Sequence, residues 1–128
     1  MAGTRQPGRQ RELIITTASL TLTAFDVGKT ICNVGASGAV VITLPAPATC
    51  NAGDDILVLS CADQDLTCTS GTADTLITLN DIAADSVALS TSGKKAGGGF
   101  IFTCVGTKWH CLPLVTPEVT GQLVTVAT

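Results

Sequence analysis

The chain has 128 residues, a formal net charge of −3, 45% hydrophobic residues and charged side chains at only 13% of positions. This length fits one domain with a core of its own. The acidic balance argues against direct nucleic-acid binding, and no apolar run reaches the roughly 18 residues of a membrane-spanning helix. A surface of small neutral side chains costs little to desolvate, which favours a protein that assembles with other proteins.

The first segment, residues 1–12, is predicted to be an extended basic arm. It contains Arg5, Arg9 and Arg11, whereas the rest of the chain has four Lys/Arg. The arm has no apolar period, so we expect it to be extended until it docks on a surface. An acidic protein surface fits best, and the three arginines are the candidate contacts. A frayed terminus without a role is the alternative.

Strand patterns dominate from residue 13 onward: short segments rich in Val, Ile and Thr alternate with Gly, Pro, Asn or Asp turns. The predicted strands are residues 13–23, 30–34, 39–44, 56–61, 75–79, 86–89, 100–105, 108–114 and 123–127. They predict one all-β domain over residues 13–128, an antiparallel β-sandwich, a jelly-roll-like fold or a barrel of about eight strands. The best helical candidate, DIAADSVAL from residue 81, has only a weak period.

Several predicted strands are apolar on both faces. Residues 56–59 read ILVL and residues 100–102 read FIF. A strand of an antiparallel sheet with one face in water should instead alternate between apolar and polar residues. We therefore expect the domain's own core to cover one face of the sheet and a neighbouring subunit to cover the other, with a homotrimer as the predicted oligomer.

The six cysteines are Cys32, Cys50, Cys61, Cys68, Cys104 and Cys111. Two pairs have C-x6-C spacing, which is not the spacing of zinc knuckles, so no metal site is expected. Cys61 and Cys104 share strand parity with neighbouring Leu and Phe residues and are predicted to face the core. The pattern favours inert buried thiols. One to three disulfides are the alternative, with Cys61–Cys68 and Cys104–Cys111 as local candidates.

The sequence contains no standard catalytic motif. His110, the only histidine, is adjacent to Cys111, but adjacent strand residues point to opposite faces, so they do not form a nucleophilic pair. Asp63 and Asp65 fit a solvated acidic loop better than a calcium loop. We predict no enzyme activity, no catalytic residues and no cofactor. Trp109 is the candidate for an exposed contact.

The stretch LTLTAFDVGKTICNVGASGAVVITLPAPA (residues 20–48), followed by ADTLITLND and GGGFIFTCVGTKWHCLP, resembles small β-domains of tailed-bacteriophage virion proteins. Such domains occur in head decoration or cement proteins, head fibres and tail-fibre modules. The matching positions lie in turns and strand ends: Gly28, Lys29, Thr30, Gly35, Ala36, Ser37, Gly38, Ala39, Thr43, Leu44, Pro45, Gly106, Thr107 and Trp109.

The resemblance implies a structural virion protein. The basic arm favours a capsid decoration (cement) protein, made in the host cytoplasm, that binds the major capsid protein on the outer surface of the head and stabilises the shell. The alternative is a fibre-tip or lectin-like receptor-binding module, for which an exposed Trp109 would be expected. A third possibility is a small secreted, disulfide-stapled hydrolase or inhibitor that is cleaved near Ala24.

Overall fold

The structure, a computed structural model, describes residues 11–93, 95–115 and 124–128. Almost all of the regular structure in these residues is β-strand, as the sequence predicts. The strands are β1 Leu13–Ile15, β2 Leu20–Thr21, β3 Thr30–Cys32, β4 Val40–Thr43, β5 Asp55–Leu59, β6 Leu66–Thr69, β7 Leu76–Thr78, β8 Asp81–Ala84, β9 Ser86–Leu89, β10 Gly99–Cys104, β11 Trp109–Leu114 and β12 Val124–Ala127. Two short 3-10 helices span Ala24–Asp26 and Pro47–Thr49. The helical candidate from residue 81 forms strands β8 and β9.

The strands form two sheets that enclose one hydrophobic core. The seven-stranded sheet has the order β1-β3-β5-β10-β11-β7-β8, and the five-stranded sheet has the order β12-β9-β6-β4-β2. Buried side chains from both sheets belong to a single cluster. The predicted two-layer, all-β architecture is therefore confirmed.

The first six strands alternate between the two sheets. Strands β1, β3 and β5 are adjacent and parallel in the seven-stranded sheet, and β2, β4 and β6 are adjacent and parallel in the five-stranded sheet. The chain from Leu13 to Thr69 thus winds through three coils, and each coil places one strand in each sheet. Later strands close the sandwich, because β10 pairs antiparallel with β5 and β9 pairs antiparallel with β6.

The prediction that neighbouring strands are antiparallel holds for only half of the pairings. Five of the ten strand pairings among the described residues are parallel: β1–β3, β3–β5, β2–β4, β4–β6 and β7–β11. Parallel neighbours need a crossover connection, which in many proteins is a helix. In β1–β6 the crossover is a strand of the opposite sheet. The absence of helical patterns in the sequence therefore does not distinguish parallel from antiparallel pairing.

Trp109 lies at the centre of the core and has no exposed surface. Its indole Nε1 donates a hydrogen bond of 2.8 Å to the carbonyl oxygen of Pro45, which follows β4. The side chain therefore connects the seven-stranded sheet to the end of a strand in the five-stranded sheet. The prediction that Trp109 is an exposed contact is wrong, because the alternation along β11 turns Trp109 and Cys111 inward and His110 outward.

A two-residue turn joins β7 to β8, and both of its residues are left-handed. Leu79 has φ 48° and Asn80 has φ 67°. Asparagine tolerates this conformation, whereas leucine is strained in it. Leu79→Asn should therefore raise the free energy of unfolding by about 1 kcal/mol in urea titration. Leu79→Ala keeps the strained backbone and should give no comparable gain. Equal stability of the two variants would contradict this account.

Candidate assembly surface

The outer side of the seven-stranded sheet carries an unusual number of aliphatic side chains. Register partners across a sheet lie on the same face. One row across the sheet contains Leu13, Thr30, Leu57, Ile101 and Leu112. The next row contains Ile15, Cys32, Leu59, Gly99 and Leu114. We call the seven aliphatic residues of these two rows the aliphatic face: Leu13, Ile15, Leu57, Leu59, Ile101, Leu112 and Leu114.

The aliphatic face is open to solvent at its edges and more shielded in its centre. Leu13, Ile15, Leu112 and Leu114 are 53%, 58%, 50% and 38% exposed. Leu57, Leu59 and Ile101, on the central strands β5 and β10, are half-buried. Scattered exposed leucines are ordinary, but a contiguous apolar surface is typical of a protein–protein contact. The prediction that some strands are apolar on both faces is confirmed for this sheet.

The outer side of the five-stranded sheet is different in character. One of its rows contains Thr21, Thr43, Thr69, Ser86 and Ala127. The other contains Val41, Thr67, Ala88 and Thr125. These side chains are small and mostly carry hydroxyl groups, which water solvates well. Among the described residues, the two outer surfaces of the sandwich are therefore unequal, and only the seven-stranded sheet has a face that favours burial against a partner.

Polar residues border the aliphatic face at one end. Asp55, Thr103 and His110 form the neighbouring row. Asp55 Oδ1 lies 3.1 Å from the Arg11 guanidinium, so its charge is already compensated within the chain. A partner that covers the aliphatic face would consequently not have to compensate an isolated carboxylate.

Arg11 is bound to the body of the domain. Its Nε donates to Thr30 Oγ1 at 2.9 Å, and another guanidinium nitrogen donates to the carbonyl oxygen of Lys29 at 2.8 Å. Together with the ion pair to Asp55, these bonds fix the guanidinium against β3 and β5. Arg11 is therefore held against the body of the domain, and its role as a capsid contact stays a prediction. Arg5 and Arg9, the other two predicted contacts, lie outside the described residues.

Phe25 is the most exposed large apolar residue of the described part of the chain, at 91%. It lies in a turn closed by a capping box, in which the Thr23 backbone N–H donates to Asp26 Oδ2 at 2.8 Å. Partial burial opposes ionisation of Asp26, but hydrogen bonds from Thr23 and Lys29 outweigh it and lower the pKa of this carboxyl group. The turn thus holds Phe25 outward as a second candidate contact. Its sequence offered no signal, because a lone Phe between Ala24 and Asp26 reads equally well as core.

The acidic loop at residues 63–65 is paired within the chain. Lys95 Nζ lies 2.6 Å from Asp65 Oδ1, and the Lys95 backbone N–H donates to Asp63 Oδ1 at 3.4 Å. Across residues 11–93, 95–115 and 124–128, no group of three or more His, Cys, Asp or Glu side chains is arranged to hold a metal ion. This loop therefore acts as a structural contact to the segment before β10.

The cysteines are all described, and all six are free thiols. Cys104 is buried with Phe100 and Phe102, as predicted. Cys61 is exposed, so the prediction that it faces the core is wrong. The reason is that Ile56 and Val58 are the inward residues of β5, whereas Leu57 and Leu59, whose parity Cys61 shares, point outward.

Burial dominates the chemistry of the inner thiols. It raises the pKa of the Cys111 thiol to about 12, although the neighbouring Thr78 hydroxyl opposes the shift. The same effect raises the pKa of the Cys68 thiol well above its usual value, with a further contribution from nearby Cys111. Neither thiol forms a ready nucleophile at neutral pH. Exposed His110 and buried Cys111 point to opposite sides of β11, which confirms that they are not a pair.

No helix within the described residues is both long enough and apolar enough to cross a membrane. In comparisons with known proteins, the chain matches no protein-family model, and no curated protein is significantly similar to it.

Proposed function

We propose that this protein is a structural virion protein, a capsid decoration (cement) protein that assembles through the aliphatic face. A second copy of the chain covers this face in a homotrimer, and the trimer binds the major capsid protein on the outer surface of a phage head. The observation that carries the proposal is the aliphatic face of the seven-stranded sheet, opposite a hydroxyl-rich surface on the five-stranded sheet.

Burial of this face is energetically favourable. Full burial of a Leu or Ile side chain stabilises by about 1.5–3 kcal/mol, so each half-exposed member contributes about 1 kcal/mol when a partner covers it. The charge at the border, Asp55, is paired with Arg11, which limits the desolvation cost. Several such residues together offset part of the entropy lost on association.

The resemblance to tailed-phage virion domains supports a role on the head rather than a free-standing activity. A decoration protein that binds the expanded shell and not its precursor stabilises the expanded shell by mass action. The receptor-binding alternative has less support, since Trp109, the aromatic side chain on which it depended, is buried and hydrogen-bonded in the core.

Leu112→Glu should dissociate the oligomer without unfolding the domain. Residue 112 points outward from β11 and is 50% exposed, so the new carboxylate remains in water in the monomer but would be buried unpaired in the trimer. Analytical ultracentrifugation should give a trimer for the wild-type protein and a monomer for the variant. The thermal melting temperature of the isolated fold should change little.

Thr67→Glu is the matched control, because Thr67 lies on the outer side of the five-stranded sheet. It should remain trimeric. The decoration role is tested separately by co-sedimentation of the wild-type protein with expanded heads and with unexpanded precursors. Binding to the expanded heads alone is the expected result. A wild-type monomer at high concentration would contradict the subunit contact, and failure to bind either particle would contradict the decoration role.

A further inference from the structure

The six thiols lie as three spatial pairs that differ from the pairs suggested by sequence spacing. The sequence groups Cys61 with Cys68 and Cys104 with Cys111. In the fold, Cys61 follows the strand beside that of Cys32, Cys50 and Cys104 approach the same carbonyl oxygen, and Cys68 and Cys111 enter the same core from opposite sheets. Every cysteine has one such neighbour.

Cys50 and Cys104 converge on one carbonyl oxygen. The Cys50 backbone N–H donates to Pro47 O at 3.1 Å, and Cys104 Sγ lies 3.7 Å from the same oxygen. The backbone of Cys104 is also bonded to the turn that follows Cys50, through the Gly53 N–H to Cys104 O at 2.7 Å and the Cys104 N–H to Asp54 O at 2.7 Å. The two residues are thus held beside each other by the fold.

Cys32 and Cys61 lie at the ends of neighbouring parallel strands. Cys32 is the register partner of Leu59, and Cys61 follows Leu59 by two residues, on the same side of the sheet. The Cys61 backbone N–H donates to Asn33 Oδ1 at 2.7 Å, which holds Cys61 against the end of β3.

Cys68 and Cys111 belong to opposite sheets. Cys68 lies on β6 of the five-stranded sheet and Cys111 on β11 of the seven-stranded sheet. Both side chains point into the same core, with exposures of 0% and 2%. This pair spans the space between the two layers of the sandwich.

We propose that Cys32–Cys61, Cys50–Cys104 and Cys68–Cys111 are the three disulfide pairs of this protein, and that they close when a low-molecular-weight disulfide such as oxidised glutathione acts on the reduced chain. Cys32–Cys61 links two adjacent coils. Cys50–Cys104 links the segment after the second coil to β10. Cys68–Cys111 links the two sheets.

Each bridge forms by two thiol–disulfide exchanges. For the first pair, the Cys61 thiolate attacks one sulfur of oxidised glutathione and releases one reduced glutathione. The Cys32 thiolate then attacks the Cys61 sulfur of the mixed disulfide and releases the second. One S–S bond forms and one breaks, two electrons pass from the cysteines to glutathione, and the two thiol protons end on the two glutathione molecules.

Exposure divides the pairs into two classes. Cys61 is exposed and Cys50 is half-buried, so these two pairs each have a member that glutathione can reach in the folded protein. Cys68 and Cys111 are both buried, so their bridge requires oxidation during folding. Since a bridge restricts the unfolded chain, the oxidised protein should be more resistant to denaturant than the reduced protein.

The test uses the purified full-length chain, first reduced and then oxidised in two ways. Folded protein incubated with oxidised glutathione should lose about 4 Da, because each bridge removes about 2 Da of hydrogen. Protein unfolded in guanidinium and refolded in a glutathione redox buffer should lose about 6 Da. Peptic peptides mapped at acidic pH without reductant should then link Cys32 to Cys61, Cys50 to Cys104 and Cys68 to Cys111.

Single variants test the partner assignments. Cys61→Ser and Cys32→Ser should lose the same bridge, leave the other partner free and retain the remaining two bridges. Cys50→Ser should likewise leave Cys104 free. The urea midpoint of the refolded, oxidised wild type should exceed that of the reduced protein and return to it after reduction. Linkage of Cys61 to Cys68 or of Cys104 to Cys111, persistent glutathione adducts, or six free thiols after oxidative refolding would each overturn the proposal.

Discussion

Replacing Trp109 with alanine is expected to lower the free energy of unfolding by about 3–5 kcal/mol, the usual cost of removing a large aromatic side chain from a core. Trp109 is fully buried and packs in the cluster that both sheets share. Its removal also leaves the carbonyl oxygen of Pro45 without the indole N–H that donates to it at 2.8 Å. Since a domain of this size is stable by about 5–15 kcal/mol, the loss is a large fraction of the total.

Chemical denaturation, followed by far-UV circular dichroism, measures this loss. Trp109→Phe keeps much of the apolar volume but removes the N–H donor, so its cost should be intermediate. His110→Ala, on the outer side of the same strand, is the matched control and should change stability by less than about 0.5 kcal/mol. If the alanine variants at positions 109 and 110 were equally stable, Trp109 would not be the central core residue.

Gly99→Ala is expected to destabilise the sandwich by about 1–3 kcal/mol, because β10 approaches β5 too closely for a side chain at this position. A Cβ atom on Gly99 would lie 2.4 Å from the carbonyl oxygen of Val58 and 3.4 Å from the Cα of Leu59. Both are backbone atoms, so relief requires the two central strands to move apart. This strain exceeds the gain of about 0.4–1 kcal/mol that alanine brings by restricting the unfolded chain.

The matched control for this second variant is Gly38→Ala. A Cβ atom at Gly38 meets no heavy atom within 4 Å, and its backbone is not left-handed. Gly38→Ala should therefore be neutral or slightly stabilising in the same urea titration. A Gly99→Ala variant as stable as Gly38→Ala would show that β10 and β5 are not as close as the fold places them.

The unequal outer surfaces of the sandwich connect these stability predictions to the proposed function. The inner side chains hold the two sheets together, so variants at Trp109 or Gly99 should weaken the fold itself. The outer side chains of the aliphatic face add little to the isolated domain, so Leu112→Glu should weaken assembly alone. Measuring fold stability and assembly separately therefore distinguishes residues that stabilise the domain from residues that bind a partner.

The sequence alone determined the class of the fold and many of its local features. Short Val-, Ile- and Thr-rich segments between turn residues correctly predicted most of the strands, because strand propensity and turn chemistry are local properties. The same reasoning missed β6 and gave the β8 segment only as a helical candidate. Local alternation also placed Phe100, Phe102 and Cys104 inward and separated His110 from Cys111. The apolar character of both parities in ILVL correctly indicated an outer surface that is not fully polar.

Only the tertiary structure decided which strands pair and which parity faces the core. The coil of β1–β6 depends on parallel contacts between strands far apart in sequence, and short strand patterns contain no information about such partners. Where both parities are apolar, the pattern cannot choose the inward one, so Cys61 and Leu57 were assigned to the wrong side. The buried position of Trp109 and the proximity of Cys32 to Cys61 follow from the same long-range pairing. They are therefore consequences of packing that no local pattern specifies.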